Sequence, residues 1–226
     1  MVNSSVEVQN SQLIKQSLAA KLKEEIIQGR LAPGQRIVEG LWAKKFGAAQ
    51  TSVREAINLL IGEGFATKAS GRSARVTRYS EEDIAQIFEL RGALEGLAAR
   101  LVAQRKPDLT SLETALKEMR KATKGESTAN LIEADLRFHL SLAELSGNRF
   151  LLAEMVTMLV PLFAFVSIRV VQFHQTVHAW ESGLDRHRRI IELIREGDPV
   201  AAEFAVRATI QQFSVRAYEI WREKKS

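Results

Sequence analysis

The sequence predicts a mainly α protein. An N-terminal winged helix-turn-helix, residues 1–79, precedes a C-terminal all-α bundle of six to seven helices, residues 80–226. Three observations predict it. Residues 39–57, EGLWAKKFGAAQTSVREAI, read as two short helices about a tight turn at Gly47. Two short, partly β-branched segments flank Ser70-Gly71-Arg72-Ser73, a turn-like basic tip, and read as a two-stranded wing. Beyond Ser80 only helical periodicity is found.

The elements follow in order. Leu13, Leu18, Leu22, Ile26 and Ile27 share one side of a helix over 11–28, which Gly29 ends, and Pro33-Gly34 makes a turn. Short helices are expected over 39–46 and 50–62, with wing strands at 65–68 and 74–78. Ser80 followed by Glu81, Glu82 and Asp83 is a helix start: a capping hydroxyl and acidic residues at the positive end of the dipole. Helices are then expected over 81–105, 108–123, 127–146, 148–175, 183–196 and 198–222. Pro107, Gly125, Gly147, Gly183 and Gly197-Asp198-Pro199 supply the breaks, the last combining a cap with proline at the first helical position.

Composition narrows the function classes. Cysteine is absent, which excludes a disulfide framework, a thiolate metal site and a cysteine nucleophile. No run of about 18 apolar residues is read, and residues 1–10 lack the apolar stretch of a signal peptide, so no membrane partner and a cytoplasmic location are expected. Charge is unevenly placed. Residues 1–80 hold 12 Lys and Arg against 6 Asp and Glu, whereas residues 81–226 hold 20 against 21. The basic excess therefore coincides with the helix-turn-helix; such a patch suits phosphate contacts to a polyanion such as double-stranded DNA, and the alternative is a solvated basic surface.

The second helix of that motif opens with small polar residues, Gln50, Thr51 and Ser52, and carries Arg54 one turn in. A helix whose N-terminus enters the major groove needs this pattern. Arg54 suits guanine O6 and N7, and the hydroxyls and first-turn amides suit phosphates. The alternative for Arg54 is a helix-surface contact with Glu55 or Asn58.

Residues 26–76 resemble the GntR superfamily of bacterial transcription factors. The resemblance is carried by Ile27-x-Gly29, Pro33-Gly34, Glu39, Ala43, Phe46-Gly47, Val53-Arg54-Glu55-Ala56-Ile57, Leu60, Glu63-Gly64 and Ala74-Arg75-Val76. It implies DNA contacts at Gln50, Thr51, Ser52 and Arg54, and at the wing-tip residues Gly71, Arg72 and Ser73. Where the family usually shows Ser-Arg-Thr-Pro, this chain has Ala49-Gln50-Thr51-Ser52. Glutamine matches adenine rather than guanine, so the operator sequence is expected to depart from the family's.

The helical remainder holds a second pattern. Asp135 and His139 are four residues apart and share a face with Leu131, Phe138 and Leu142. His187 lies among Leu184, Ile190, Ile191 and Ile194, and Arg91 shares a stripe with Ile84, Ile87, Leu94 and Ala98. Polar groups directed into a bundle must pair, bind a metal or line a polar cavity.

This region resembles the FCD-type ligand-binding domain of the FadR subfamily. The matching pieces are Leu90-Arg91-x-x-Leu94-Glu95, Asp135-x-x-Phe138-His139, Ser146-Gly147-Asn148, His187-Arg188-x-Ile190 and Gly197-Asp198. The resemblance implies a divalent metal, zinc or nickel, held by one Asp and three His beside a small carboxylate-bearing effector. Asp135, His139 and His187 are the ligands it implies here, and Thr209 stands where the family carries its last histidine. Three ligands hold a metal more weakly and leave positions for water or effector. Arg91, Asn148 and Thr209 join the three as effector-binding candidates, with Arg137 a lesser one; Arg91 offers a carboxylate bidentate bonding. His174 and His178 form a further four-residue pair, read as solvent-facing.

The function expected is a ligand-responsive DNA-binding transcriptional regulator and not an enzyme. It is expected to be a homodimer on a pseudo-palindromic operator and a repressor released by a small organic acid. The alternative is a metal-dependent hydrolase built on Asp135, His139 and His187, although no nearby motif offers it a general base. A third reading is a helical adaptor whose wing binds protein.

Overall fold

The computed structural model describes residues 2–125, 127–172 and 181–221, and the chain divides into two compact units, Met1–Arg78 and Tyr79–Ser226. The first unit contains α1 (Val2–Ile27), α2 (Glu39–Phe46), α3 (Gln50–Gly62), β1 (Ala66–Thr67) and β2 (Arg75–Val76). Its core is the central part of the expected α1 stripe, with Leu18, Leu22 and Ile26 buried and packed on Val53, Ala56, Ile57 and Leu60 of α3, whereas Leu13 and Ile27 are exposed. Helix α1 starts well before residue 11, where the polar stretch shows no face for periodicity to reveal.

Gly47 ends α2 in the left-handed region at φ 61°, a conformation that costs glycine nothing. That turn sends the chain into α3. The wing strands are shorter than expected, two residues each, in antiparallel register Ala66↔Val76 and Thr67↔Arg75. The return strand divides its ladder. Val76 N–H donates to the Gln35 carbonyl (2.9 Å) and Ile37 N–H to the Ala74 carbonyl (2.8 Å), so the segment before α2 closes the other edge of the wing.

The second unit contains α4 (Glu81–Arg105), α5 (Thr110–Lys124), α6 (Thr128–Leu145), α7 (Arg149–Gln172), α8 (Glu181–Glu196) and α9 (Pro199–Trp221). Ser80 caps the start of α4, as the sequence predicts, and Asp83 returns the bond to form a reciprocal capping box. Helix α9 runs back along α4. Gly197 lies against Lys106 at one end, and at the other the Trp221 indole N–H donates to the Tyr79 carbonyl at 3.0 Å. Helices α5, α6 and α7 complete the bundle around Phe138, Leu131, Leu142 and Met155, all buried.

One expectation needs correction. In α7 an 18-residue window within Arg149–Arg169 has a mean hydropathy of 2.2, and the helix is long and apolar enough, by length and composition alone, to cross a membrane. Isolated polar residues such as Glu154 and Thr157 interrupt the apolar run without lowering the mean enough to matter. In the structure this helix lines the bundle, with Leu151, Met155, Leu159 and Leu162 buried and α6 packed beside it.

Candidate functional site

The first candidate site lies in the N-terminal unit. No side chain caps α3 at Ala49, so its first-turn amides are left to outside partners. Gln50, Thr51 and Arg54 are exposed and Ser52 is half-buried. Gln50 and Glu39 share a groove with the wing-tip residues Gly71, Arg72 and Ser73, which also receives Lys68. The start of α3 and the wing tip thus border one groove, with Arg36, Lys68 and Arg72 as its cations.

Arg54 does not pair with Glu55 or Asn58. Its Nε and Nη2 donate to the Glu39 carboxylate at 2.9–3.1 Å, and Gln50 Nε2 donates to the same carboxylate at 3.3 Å. The Arg54 hydrogen bond holds the Glu39 carboxyl below the usual carboxylate range, and the guanidinium is raised in turn.

The second candidate site is a buried cluster in the helical unit. Helix α6 brings in Asp135 and His139 one turn apart, and α8 brings in His187. One ligand atom from each lies within 4.8 Å of the other two. Asp135 Oδ1 is 3.1 Å from His187 Nε2 and 3.4 Å from His139 Nε2. All three residues are at most 5% exposed. The Phe138 ring meets His187 edge-on, with centroids 4.6 Å apart.

The outer nitrogens define the chemistry. His187 Nδ1 is 2.7 Å from the Gly183 carbonyl, which can only accept. His139 Nδ1 lies directly against Glu95 Oε2, and neither atom has another partner among the described residues. A neutral ring in either position therefore keeps its proton on Nδ1 and turns the Nε2 lone pair inward. Asp135 Oδ1 and His187 Nε2 accordingly face each other, buried and without a hydrogen bond. Such a set of inward lone pairs is the donor set of a cation, so the residues fit a divalent metal.

Without a bound cation, the charges around the cluster favour a proton on His139 in its place. Burial opposes charge on Asp135, but His139 and His187 outweigh it and hold the carboxyl far below its usual range. Burial likewise pulls His139 down, and the charges of Glu95 and Asp135 overcome it, raising the imidazole to about 9.

Glu95 is the residue that sequence reasoning missed. It is fully buried, and burial alone would raise its carboxyl; Arg91 and His139 reverse that and bring it to about 2. Arg91, expected to meet an effector, gives its Nε to Glu95 Oε1 at 2.7 Å. Its guanidinium packs over the rings of Phe88 and Phe163, at 4.9 and 5.2 Å. The four-residue spacing from Arg91 to Glu95 was the available signal.

The other expected residues have hydrogen-bond or ion-pair partners of their own. Thr209 is buried on α9, its hydroxyl donating to the Ala205 carbonyl at 2.8 Å. Asn148 caps α7, its side-chain oxygen accepting from the amides of Phe150 and Leu151. Arg137 is exposed and pairs with Glu118 and Glu133. His174 and His178 lie outside the described residues.

Comparison with known proteins gives the same two parts. The gntR family of bacterial regulatory proteins matches residues 14–76, and the FCD domain matches residues 86–212. The uncharacterized HTH-type transcriptional regulator YdhC of Bacillus subtilis (strain 168) is 33% identical over 188 residues, 81% of each chain. A protein of Paenarthrobacter nicotinovorans named "Probable D-xylose utilization operon transcriptional repressor" is 25% identical over 87% of each chain. The Glc operon transcriptional activator of Escherichia coli (strain K12) is 24% identical, covering 90% of this chain and 88% of its own. Among solved structures, E. coli McbR/YncC shares the fold with a TM-score of 0.75 at 18% identity, over 92% of this chain and 99% of that one.

A winged helix-turn-helix followed by an all-α ligand-binding unit defines a ligand-responsive, DNA-binding transcriptional regulator. The chain belongs to the gntR family of bacterial regulatory proteins, in the branch that carries an FCD domain.

Proposed function

We propose that the helical unit holds a divalent cation, zinc or nickel, on Asp135, His139 and His187, and that a small organic acid is the effector. The observation that carries this reading is the convergence of Asp135 Oδ1 with the Nε2 atoms of two histidines whose outer nitrogens already face acceptors. Three protein ligands leave coordination positions open, and the cation supplies a Lewis-acidic attachment point for a carboxylate. Thr209 in place of a further histidine weakens the hold on the cation and enlarges the effector's share of the coordination.

In the same reading, Gln50, Thr51, Ser52 and Arg54 enter the major groove, while Gly71, Arg72 and Ser73 of the wing contact the flanking backbone. The protein acts in the cytoplasm as a homodimer on a pseudo-palindromic operator, and the FCD unit carries dimerisation. Effector binding shifts the population away from the DNA-competent state, which relieves repression. One relative is named a repressor and another an activator, so the direction of control rests on the transcriptional assay below.

Native mass spectrometry of the purified protein tests the assembly and its cargo together. The expected result is a dimer mass with up to one zinc or nickel per subunit. A monomer, or a protein that binds no added zinc at micromolar concentration, would overturn the corresponding part. Reporter repression relieved by a co-purified acid supports the sign proposed, and effector-dependent activation reverses it.

A further inference from the structure

The strongest unexplained feature of the molecule is Glu95. An ionised carboxylate with no exposed surface is costly in a helical core, and a bundle of this kind has no packing need for one. Its two oxygens are divided. Oε1 accepts from Arg91 Nε at 2.7 Å, and Oε2 lies against His139 Nδ1. Arg91 is itself fixed between the Phe88 and Phe163 rings. The result is a chain from Arg91 through Glu95 to His139 that ends at Nε2, the atom facing Asp135 and His187.

We infer that Glu95 is a positioning residue for the cation site, orienting His139 through Nδ1 so that its Nε2 meets the cation with Asp135 and His187; this rests on the metal reading proposed above. Glu95 does not itself touch the cation, because the imidazole lies between them. A carboxylate behind a histidine ligand fixes ring orientation and makes the coordinating nitrogen a stronger donor. The role matters more here than in a four-ligand site, since Asp135, His139 and His187 have no fourth protein ligand to share the loss of one.

Zinc affinity, measured by competition with a chromophoric chelator, and the visible spectrum of the cobalt-loaded protein test the inference. Glu95→Gln keeps the shape and removes the charge; Glu95→Asp keeps the charge and withdraws it from His139. Both are expected to fold, by circular dichroism, and to bind zinc about 10- to 100-fold more weakly than the parent, with a changed cobalt spectrum. A folded variant of either kind that binds zinc within about twofold of the parent, with an unchanged cobalt spectrum, would overturn the positioning role. If Glu95→Gln fails to fold, Glu95→Asp decides. Asp135→Ala separates the two levels: zinc binding unaffected by its loss overturns the metal reading itself, whereas loss of binding in Asp135→Ala alone overturns only the part given to Glu95.

Discussion

Arg54 and Glu39 are bound to one another across fifteen residues of chain. The Glu39 carboxylate takes the Nε/Nη2 edge of the guanidinium, so the arginine is held on one side before any DNA arrives. A flexible exposed arginine loses side-chain freedom on binding a base; one already held loses less. Glu39→Ala is therefore expected to lower discrimination between a selected operator and random DNA by roughly fivefold, about 1 kcal/mol. Random DNA itself is expected to bind somewhat more tightly, because a negative charge has left the surface. Competition binding at fixed salt reads both; unchanged discrimination would show that the pair has no part in recognition.

Arg54→Ala is expected to cost about 1–3 kcal/mol of operator discrimination while leaving most of the affinity for random DNA. The same competition experiment measures it.

Arg72, at the wing tip, is expected to act on phosphates instead. Arg72→Ala should weaken operator and random DNA alike and reduce the slope of log affinity against log salt by about 1. A base-specific effect would move the wing tip from the backbone into a groove.

Glu25 makes the stability of the N-terminal unit pH-dependent. Hydrogen bonds from Arg30 and Lys45, at 2.8–3.1 Å, outweigh burial and hold its carboxyl at about 2 against an ordinary 4.5. A carboxyl depressed by folding stabilises the folded state fully above its unfolded value and loses that contribution as pH falls towards the folded one. The window is therefore between about pH 5 and pH 2. Both partner cations are half exposed, so solvent screening limits the contribution to about 1–2 kcal/mol. Denaturant melts from pH 7 to pH 2.5 should show Glu25→Gln less stable than the parent at neutral pH and converging with it in acid.

Phe138 both fills the helical core and backs His187. It is fully buried, and Phe138→Ala is expected to cost about 3–5 kcal/mol in urea unfolding. Phe138→Leu should recover most of that. A small loss for the alanine variant would mean that the bundle collapses into the space.

The bundle was legible because its signals are local. Ser80 with Asp83, Pro107, Gly125 and Gly197-Asp198-Pro199 punctuate α4, α5, α6 and α9 within a residue or two of the observed ends. The wing was legible only as a hairpin. The pairing of residues 35–37 with its return strand depends on tertiary contact, and Gln35-Arg36-Ile37 carries no strand signal of its own.

The sites divide in the same way. Asp135, His139 and His187 stood out as polar residues on apolar faces, and the structure brings them together. Glu95 carries no ligand pattern of its own in the sequence, and only the fold shows that it pairs with Arg91 one turn along the same helix. The partner of Arg54 was sought on α3 and lies on α2, a contact that only the turn at Gly47 creates.

Around the cluster, Glu95 and Asp135 are two buried carboxylates and Arg91 is a buried guanidinium. Those three permanent charges sum to minus one, in a medium that tolerates net charge poorly. A proton on His139, or a metal ion in its stead, offsets that charge. The two are not equivalent, since a proton has no open face to offer an acid and a metal ion does. The composition of the solution around the protein would then decide which kind of interior it has, and with it whether there is anything for an effector to bind.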